Sequence, residues 1–318
     1  MKIHQPMLFL GLGGTGCRVG RELERVLREA LCGPDGTELV GRMRGHDYLP
    51  YQLPPCLQFV YADLSVNELS KVLPNVVPSA DHHAAAQHTT HLIANLVPPN
   101  HHNSAQLTQA MRITMDDGLL SWLPGPETDP RVAPLTAGAG QLPTVGRAVL
   151  FETMRQGRGP NAVLHGVTAA MQQINASGAA LHELGGRLDN TLDVFVAFSV
   201  AGGTGNGIFY DYLHMVGELV RQTGTQARIY PLVLMPSAFE DGMGGGRAAV
   251  LNAGSALVDL FRLVDDQNAQ GTDDEVYRLR GCIRVGLDEE ISKPLEISHC
   301  TFRIDHRRHC GASARIIY

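Results

Sequence analysis

Three glycine-rich segments, each leading into a helical pattern, most constrain what this chain can fold into. They are Gly11–Gly16 (GLGGTG), Ala137–Arg147 (AGAGQLPTVGR) and Ala201–Gly207 (AGGTGNG). The first and the last follow apolar runs typical of buried parallel strands, Met7–Leu12 and Leu192–Val200. Glycine lets a backbone approach a ligand closely, and a helix that begins there points unpaired N–H groups at an anion. The segments therefore favour a phosphate-binding α/β protein.

The remaining pattern predicts a Rossmann-like α/β fold, a parallel sheet with helices on both faces. Further strands are predicted at Leu57–Ala62 and Arg228–Leu234, and weaker ones at Ile283–Gly286 and Cys300–Ile304. Helices are predicted after Gly16 and over Gly146–Arg155, Ala162–Ile174, Gly207–Thr223 and Arg247–Val264. We expect the alternation of strands and helices to bring the glycine segments to one edge of the sheet.

A long insertion, residues 74–134, follows the second strand and is rich in proline, histidine, asparagine and alanine. We expect one or two short helices in it, around Thr89–Asn95 and Ala105–Thr114. His88 and His91 would share a helix face and could bind a metal. No cysteine or patterned carboxylate accompanies them, so a solvated histidine-rich loop is favoured.

Composition and charge narrow the function classes. The chain has 318 residues, 44% of them hydrophobic and 18% charged, which is enough to bury a sizeable core. The net charge of −6 and the lack of a dense basic stretch argue against a nucleic-acid partner. No apolar run reaches the ~18 residues of a membrane span. The six scattered cysteines form no CxxC pair and indicate reduced thiols in a cytoplasmic protein.

The first glycine segment, taken alone, also fits an NAD- or FAD-binding Rossmann unit. Such a unit has no use for a second loop like Ala201–Gly207. It also places an acidic residue about 20 positions beyond the first loop, whereas the second strand here ends much later, at Asp63. An oxidoreductase is therefore the lesser alternative. A serine hydrolase is disfavoured because the chain has no GxSxG elbow.

Five segments resemble, in family order, the nucleotide loops of the tubulin/FtsZ superfamily, and the nearest subgroup is the large, divergent bacterial tubulin-like proteins. They are GLGGTG at 11–16, FVYADLSVNEL at 59–69, GAGQLPTVGR at 138–147, AGGTGNG at 201–207, and PSAFE at 236–240 followed by Arg247. The fourth is similar to the tubulin signature, and the third resembles the loop that faces the γ-phosphate in FtsZ. Together they cover most of residues 7–263.

The resemblance implies binding of GTP or GDP with Mg²⁺. It implies that the α- and β-phosphates lie against Gly13, Gly14, Thr15 and Gly16, that the γ-phosphate faces Gly138, Ala139 and Gly140, and that Gly202, Gly203, Thr204 and Gly205 cradle the phosphates from the other side. Glu240 is expected to accept a bond from a ribose hydroxyl, and Arg247 to donate to the phosphates. Three further expected positions are Cys17, Asp63 and Asn206. Asp63 would either contact the nucleotide or cap a turn, and Asn206 replaces a residue that is small in the family.

The resemblance further implies head-to-tail self-assembly, with any hydrolysis completed by carboxylates of a neighbouring subunit. The carboxylate loop of NxDxxD type and the long central helix before it are not found after Ile304. We therefore expect residues 1–318 to form the nucleotide-binding domain without the second domain of the fold, and we assign no catalytic residue. The alternative is a non-hydrolysing scaffold that binds a partner protein.

Overall fold

The computed structural model describes residues 2–43, 47–94, 96–115, 122–129, 131–158, 163–239 and 245–268. These residues form a parallel sheet of five strands in the order β3-β2-β1-β4-β5. The strands are β1 (Met7–Leu12), β2 (Leu57–Ala62), β3 (Thr90–Ile93), β4 (Thr191–Ser199) and β5 (Gln226–Leu234). The chain thus adds β2 and β3 on one side of β1 and then crosses over to add β4 and β5 on the other side.

Helices cover both faces of this sheet, as the sequence predicts. They are α1 (Gly13–Cys32), α2 (Glu38–Arg42), α3 (Val66–Ser70), α4 (Val72–Val76), α5 (His83–Gln87), α6 (Ser104–Thr114), α7 (Pro143–Thr153), α8 (His165–Ala176), α9 (Gly178–Glu183), α10 (Thr204–Gln222) and α11 (Arg247–Asn268). Among the described residues, no helix is both long and apolar enough to cross a membrane.

The core lies in two layers, one on each side of the sheet. Phe9 of β1 and Phe59 of β2 pack on the layer that contains α1. Leu8 and Leu10 of β1 point the opposite way, into the layer that contains α8 and α10. Because both faces of β1 are covered, this strand is a nearly continuous apolar run, which made it easy to predict.

A buried ion pair on α1 fixes the edge of the sheet. Glu24 and Arg28 are at most 1% exposed and contact each other. Glu24 also accepts hydrogen bonds from the Tyr61 hydroxyl of β2 at 2.8 Å and from the Thr90 hydroxyl of β3. Arg28 donates to the Thr89 hydroxyl at 3.0 Å. One pair of charges on α1 therefore holds both β2 and the start of β3.

The prediction of a helix around Thr89–Asn95 is wrong, because Thr90–Ile93 forms the edge strand β3. Thr90 bonds to Glu24 of α1, and the His91 ring lies 2.7 Å from the Gln58 amide oxygen of β2. These partners are distant in sequence and outweigh the local pattern. Part of the segment 74–134 therefore belongs to the sheet.

The other elements follow the predictions with shifted ends. The second helix expected in the insertion is confirmed as α6, and the start of α10 lies at Thr204, three residues before the predicted Gly207. Strands expected at Ile283–Gly286 and Cys300–Ile304 lie outside the described residues. Within the described ranges, no group of three or more His, Cys, Asp or Glu side chains is arranged to hold a metal ion.

Candidate functional site

A cavity of about 360 Å³ lies at the carboxyl edge of the sheet, between the ends of β1 and β4. The strand order reverses at this point. Because α1 leaves β1 on one face and α10 leaves β4 on the other, a crevice opens between them. Its wall is formed by Leu12–Thr15, Asp63, Ser65, Asn67, Glu68, Ala137–Gly140, Ser199 and Gly202–Gly205.

The first glycine segment packs directly on the third. Gly13 has a φ of +70°, and a Cβ placed on it would lie 2.6 Å from the backbone nitrogen of Gly205. A Cβ on Gly16 would lie 2.2 Å from the Ala197 carbonyl oxygen of β4. Side chains at these two positions would push the segments apart, so glycine here brings β1 and β4 and their loops together.

The third segment also contacts the second. A Cβ on Gly203 would lie 2.4 Å from the Gly140 carbonyl oxygen. A Cβ on Gly207 would lie 2.3 Å from the Pro143 carbonyl oxygen, at the start of α7. All three glycine segments are therefore in backbone contact around a single cavity.

Two long helices begin in the cavity wall. The first residue of α1 is Gly13 and that of α10 is Thr204, and both line the cavity. No side chain caps the start of α1. The first turn of a helix has backbone N–H groups without intrahelical partners and carries partial positive charge. The arrangement is suited to an anion with several oxygens.

Asp63 brings a carboxylate to the same cavity. It follows β2, is 2% exposed, and accepts hydrogen bonds from the backbone N–H groups of Leu64 and Ser65 and from the Thr204 hydroxyl. Burial raises the pKa of Asp63 to about 6, and the nearby Glu68 carboxylate adds to this effect. Near neutral pH the cavity therefore holds a negative charge that is only partly compensated by its hydrogen bonds.

Glu68 lies on the same side of the cavity as Asp63. Its backbone N–H donates to the Ser65 hydroxyl at 3.3 Å, which caps α3, and its carboxylate pairs with Lys71 at 2.5 Å. A Cβ on Gly14 would lie 3.4 Å from Glu68 Cγ and 3.5 Å from Asp63 Oδ2. The first glycine segment thus faces two carboxylates.

Three other glycines leave room at the wall. Among the described residues, a Cβ on Gly140 or Gly202 would meet no atom within 4 Å, and one on Gly138 would meet only Ser65 Cβ, at 4.0 Å. Gly138 and Gly140 have positive φ values of +115° and +60°. The main chain is therefore accessible to a ligand at these positions.

Most of the expected site residues line the cavity: Gly13, Gly14, Thr15, Asp63, Gly138, Ala139, Gly140, Gly202, Gly203, Thr204 and Gly205. Gly16, Cys17, Asn206 and Arg247 are not among the lining residues. Glu240 lies outside the described residues.

The residues away from the wall have other partners. The Cys17 thiol is 1% exposed and donates to the Gly11 carbonyl at 3.5 Å, and burial raises its pKa well above the ordinary range. The Asn206 amide points to backbone carbonyls behind the loop. Arg247 is the exposed first residue of α11.

Four polar residues of the wall escaped the sequence prediction: Ser65, Asn67, Glu68 and Ser199. Ser199 ends β4, Ser65 caps the short helix α3 that follows β2, and Asn67 and Glu68 lie within α3. Because the carboxyl ends of parallel strands meet at one edge of a sheet, polar residues that follow a predicted strand could have been predicted to lie at the site.

Comparison with known proteins identifies the family. A family model described as "Tubulin like" matches residues 8–299. No curated protein matches the chain. Among solved structures, CetZ from Methanosaeta thermophila strain DSM 6194 is 15% identical with a TM-score of 0.38, over 81% of this chain and 43% of that one.

Two further structures are similar at the same level. The GTPγS-bound protofilament of CetZ2 from Haloferax volcanii is 12% identical with a TM-score of 0.36, over 87% of this chain and 54% of that one. The GTPγS-form protofilament of TubZ from Bacillus thuringiensis serovar israelensis is 12% identical with a TM-score of 0.36, over 84% and 44%. This chain spans about half the length of these proteins.

Proposed function

We propose that the cavity of this chain, which belongs to the tubulin-like family, binds the phosphates of a guanine nucleotide, GTP or GDP. The observation that carries the proposal is the contact of three glycine segments around one cavity at the start of two helices. Backbone N–H groups at helix starts recognise phosphate without any side chain.

Each segment has a proposed part in this binding. Gly13–Gly16 and the first turn of α1 would take the α- and β-phosphates, with Gly202–Gly205 opposite them. The γ-phosphate would face Gly138–Gly140, where a Cβ on either glycine would meet no described atom closer than 4.0 Å. Glu240 and Arg247 are proposed to contact the ribose and phosphate region, as the resemblance implies.

The residues at the cavity also fit a Mg²⁺ ion. Asp63 and Glu68 supply hard carboxylate oxygens beside the first glycine segment, and Mg²⁺ typically binds through one or two carboxylates together with substrate phosphates. Asp63 and Glu68 would hold such an ion, and its positive charge would offset the negative charge of the carboxylates and of the nucleotide. Without a cation, the Asp63 carboxylate, ionised above its pKa of about 6, would repel a nucleotide.

A direct test measures binding of a fluorescent GTP analogue to the purified protein, with Gly202→Ala beside Gly41→Ala. A Cβ on either glycine would meet no atom of the described part of the chain within 4 Å, and neither glycine has a positive φ. Of the two, Gly202 lines the cavity and Gly41 does not. We expect Gly202→Ala to bind the analogue more weakly at unchanged apo stability, and Gly41→Ala to match the wild type. Equal binding by all three proteins would contradict the proposed site.

Competition separates the nucleotide classes. We expect GTP to displace the analogue more effectively than ATP or NAD. A dinucleotide that co-purifies, seen by absorbance, would instead favour an oxidoreductase.

We further propose that the nucleotide controls head-to-tail assembly. A γ-phosphate at Gly138–Gly140 would order that loop, and its loss would release it, which is a common way for a nucleotide to change a surface. Light scattering in GTP and in GDP tests this, and phosphate release measured in parallel tests for hydrolysis. Assembly without phosphate release would favour the non-hydrolysing scaffold, and no assembly in GTP would contradict the proposal.

A further inference from the structure

Two asparagines behind the cavity connect its loops to α11. Asn206 lies in the first turn of α10, at the position where the resemblance leads one to expect a small side chain. It is 8% exposed, and its amide nitrogen donates to the Val200 carbonyl at 2.7 Å and to the Asn252 carbonyl at 3.1 Å. The Asn206 side chain therefore joins the end of β4 to α11, and it is not among the residues that line the cavity.

Asn252 of α11 makes the complementary pair of bonds. Its amide nitrogen donates to the Gln141 carbonyl at 3.0 Å and to the Ala201 carbonyl at 3.1 Å. Gln141 directly follows Gly140, and Ala201 directly precedes Gly202. One side chain thus holds the outer ends of two cavity loops that lie 60 positions apart in sequence.

A fifth hydrogen bond lies at the same junction. The Gln141 amide nitrogen lies 3.5 Å from the Gly245 carbonyl, in the segment that leads into α11. Ala253 and Leu260 of α11 also belong to the apolar cluster that contains α10. Apolar packing is non-directional, so these amides give the junction directional contacts with the loop carbonyls.

We propose that Asn206 and Asn252 are positioning residues for the nucleotide, an amide clasp that fixes the spacing between the loops 137–140 and 201–205 and couples it to α11. This inference rests on the proposed nucleotide binding. Through the Gln141 carbonyl the clasp holds the loop that faces the γ-phosphate, whereas Gly16 of the first glycine segment packs on Ala197 of β4, which makes no bond to the clasp. Loss of the clasp therefore weakens GTP binding more than GDP binding.

The experiment compares Asn252→Ala with Ser255→Ala, an exposed position one turn further along α11. Affinities for fluorescent analogues of GTP and GDP are measured for both variants and the wild type. Two lost hydrogen bonds correspond to at most about a thirtyfold loss of GTP affinity, and we expect a clearly smaller loss for GDP. If Asn252→Ala lost equal affinity for both nucleotides, or lost none, the proposed role of the clasp would be overturned.

A nucleotide-free measurement covers the case in which wild-type protein binds no nucleotide. Hydrogen exchange of peptides over 137–142 and 200–205 is expected to accelerate in Asn252→Ala and to stay unchanged in Ser255→Ala. Faster exchange without any nucleotide binding would refute the proposed function and the nucleotide role of the clasp, but support its holding of the loops. Unchanged exchange would refute the clasp itself.

Asn206→Ser serves as a second variant if Asn252→Ala does not fold. It restores a small residue and removes the bonds to Val200 and Asn252 while leaving Asn252 in place. We expect the same preferential loss of GTP affinity, and an unchanged ratio of GTP to GDP affinity would overturn the inference.

Discussion

Replacing Asp63 by asparagine is expected to stabilise the nucleotide-free protein at pH 8 but not at pH 4. The side chain is 2% exposed, and burial raises its pKa from 3.8 to about 6. The folded state thus prefers the protonated carboxyl. The stability that this preference contributes is fully present below the unfolded pKa near 4 and is lost as the pH rises through about 6.

The size of the effect follows from two opposing terms. A shift of about two pKa units corresponds to ~3 kcal/mol of destabilisation once Asp63 is ionised, at about 1.4 kcal/mol per unit. Asparagine removes this destabilisation by the buried charge. It has one acceptor oxygen where the carboxylate has two, however, and the loss of one hydrogen bond costs about 1 kcal/mol. The expected net gain at pH 8 is therefore ~2 kcal/mol, with a loss of about 1 kcal/mol at pH 4.

Urea unfolding at pH 4, 6 and 8 measures this directly, with Asp35→Asn as the control. Asp35 is exposed, and hydrogen bonds from the Thr37 backbone and hydroxyl lower its pKa. The stability that ionised Asp35 contributes is present above its pKa in the unfolded chain and is lost as the pH falls through its pKa in the folded protein. Asp35→Asn should therefore be less stable than wild type at pH 8. If Asp63→Asn were also less stable at pH 8, the reasoning from burial would be refuted.

Three further predictions concern the site and its support. Gly203→Ala should cost about 1–3 kcal/mol of stability by thermal melting, because its Cβ would lie 2.4 Å from the Gly140 carbonyl, whereas Gly202→Ala should melt like wild type. Glu24→Gln should cost about 3–5 kcal/mol in urea unfolding, since it leaves the buried Arg28 charge without its carboxylate; a change under ~1 kcal/mol would contradict this. Asp63→Asn should reduce the dependence of GTP binding on Mg²⁺, measured by titration in EDTA and in Mg²⁺, and an unchanged dependence would remove Asp63 from the proposed ion site.

The inner strands and the glycine segments could be predicted because their signals are local. β1 and β2 begin and end where the sequence predicts, since strands covered on both faces are uninterrupted apolar runs. The edge strand β3 carries no such signal. Its four residues are THLI, and it is held by Glu24 of α1 and Gln58 of β2, more than 30 positions away.

The polar part of the site was harder to predict for the same reason. Asn206 looked like a change in the cavity wall, but its partners are carbonyls of Val200 and Asn252, and the second of these is 46 positions away. Glu68 was quoted within a matching segment without being assigned a role. In both cases the sequence shows the residue type but not the direction of the side chain.

The glycines around the cavity belong to two groups that the sequence cannot distinguish. Gly13, Gly16 and Gly203 would each place a Cβ within 2.6 Å of another backbone atom, so the protein itself requires them. Gly140 and Gly202 would place a Cβ in open space at the cavity wall. Among the described residues, no atom lies within 4 Å of a Cβ on Gly202, and its φ is not positive, so a side chain there would meet only a molecule that enters the cavity. This is why Gly202→Ala is the sharpest probe of the proposed nucleotide, and Gly203→Ala of the structure that holds it.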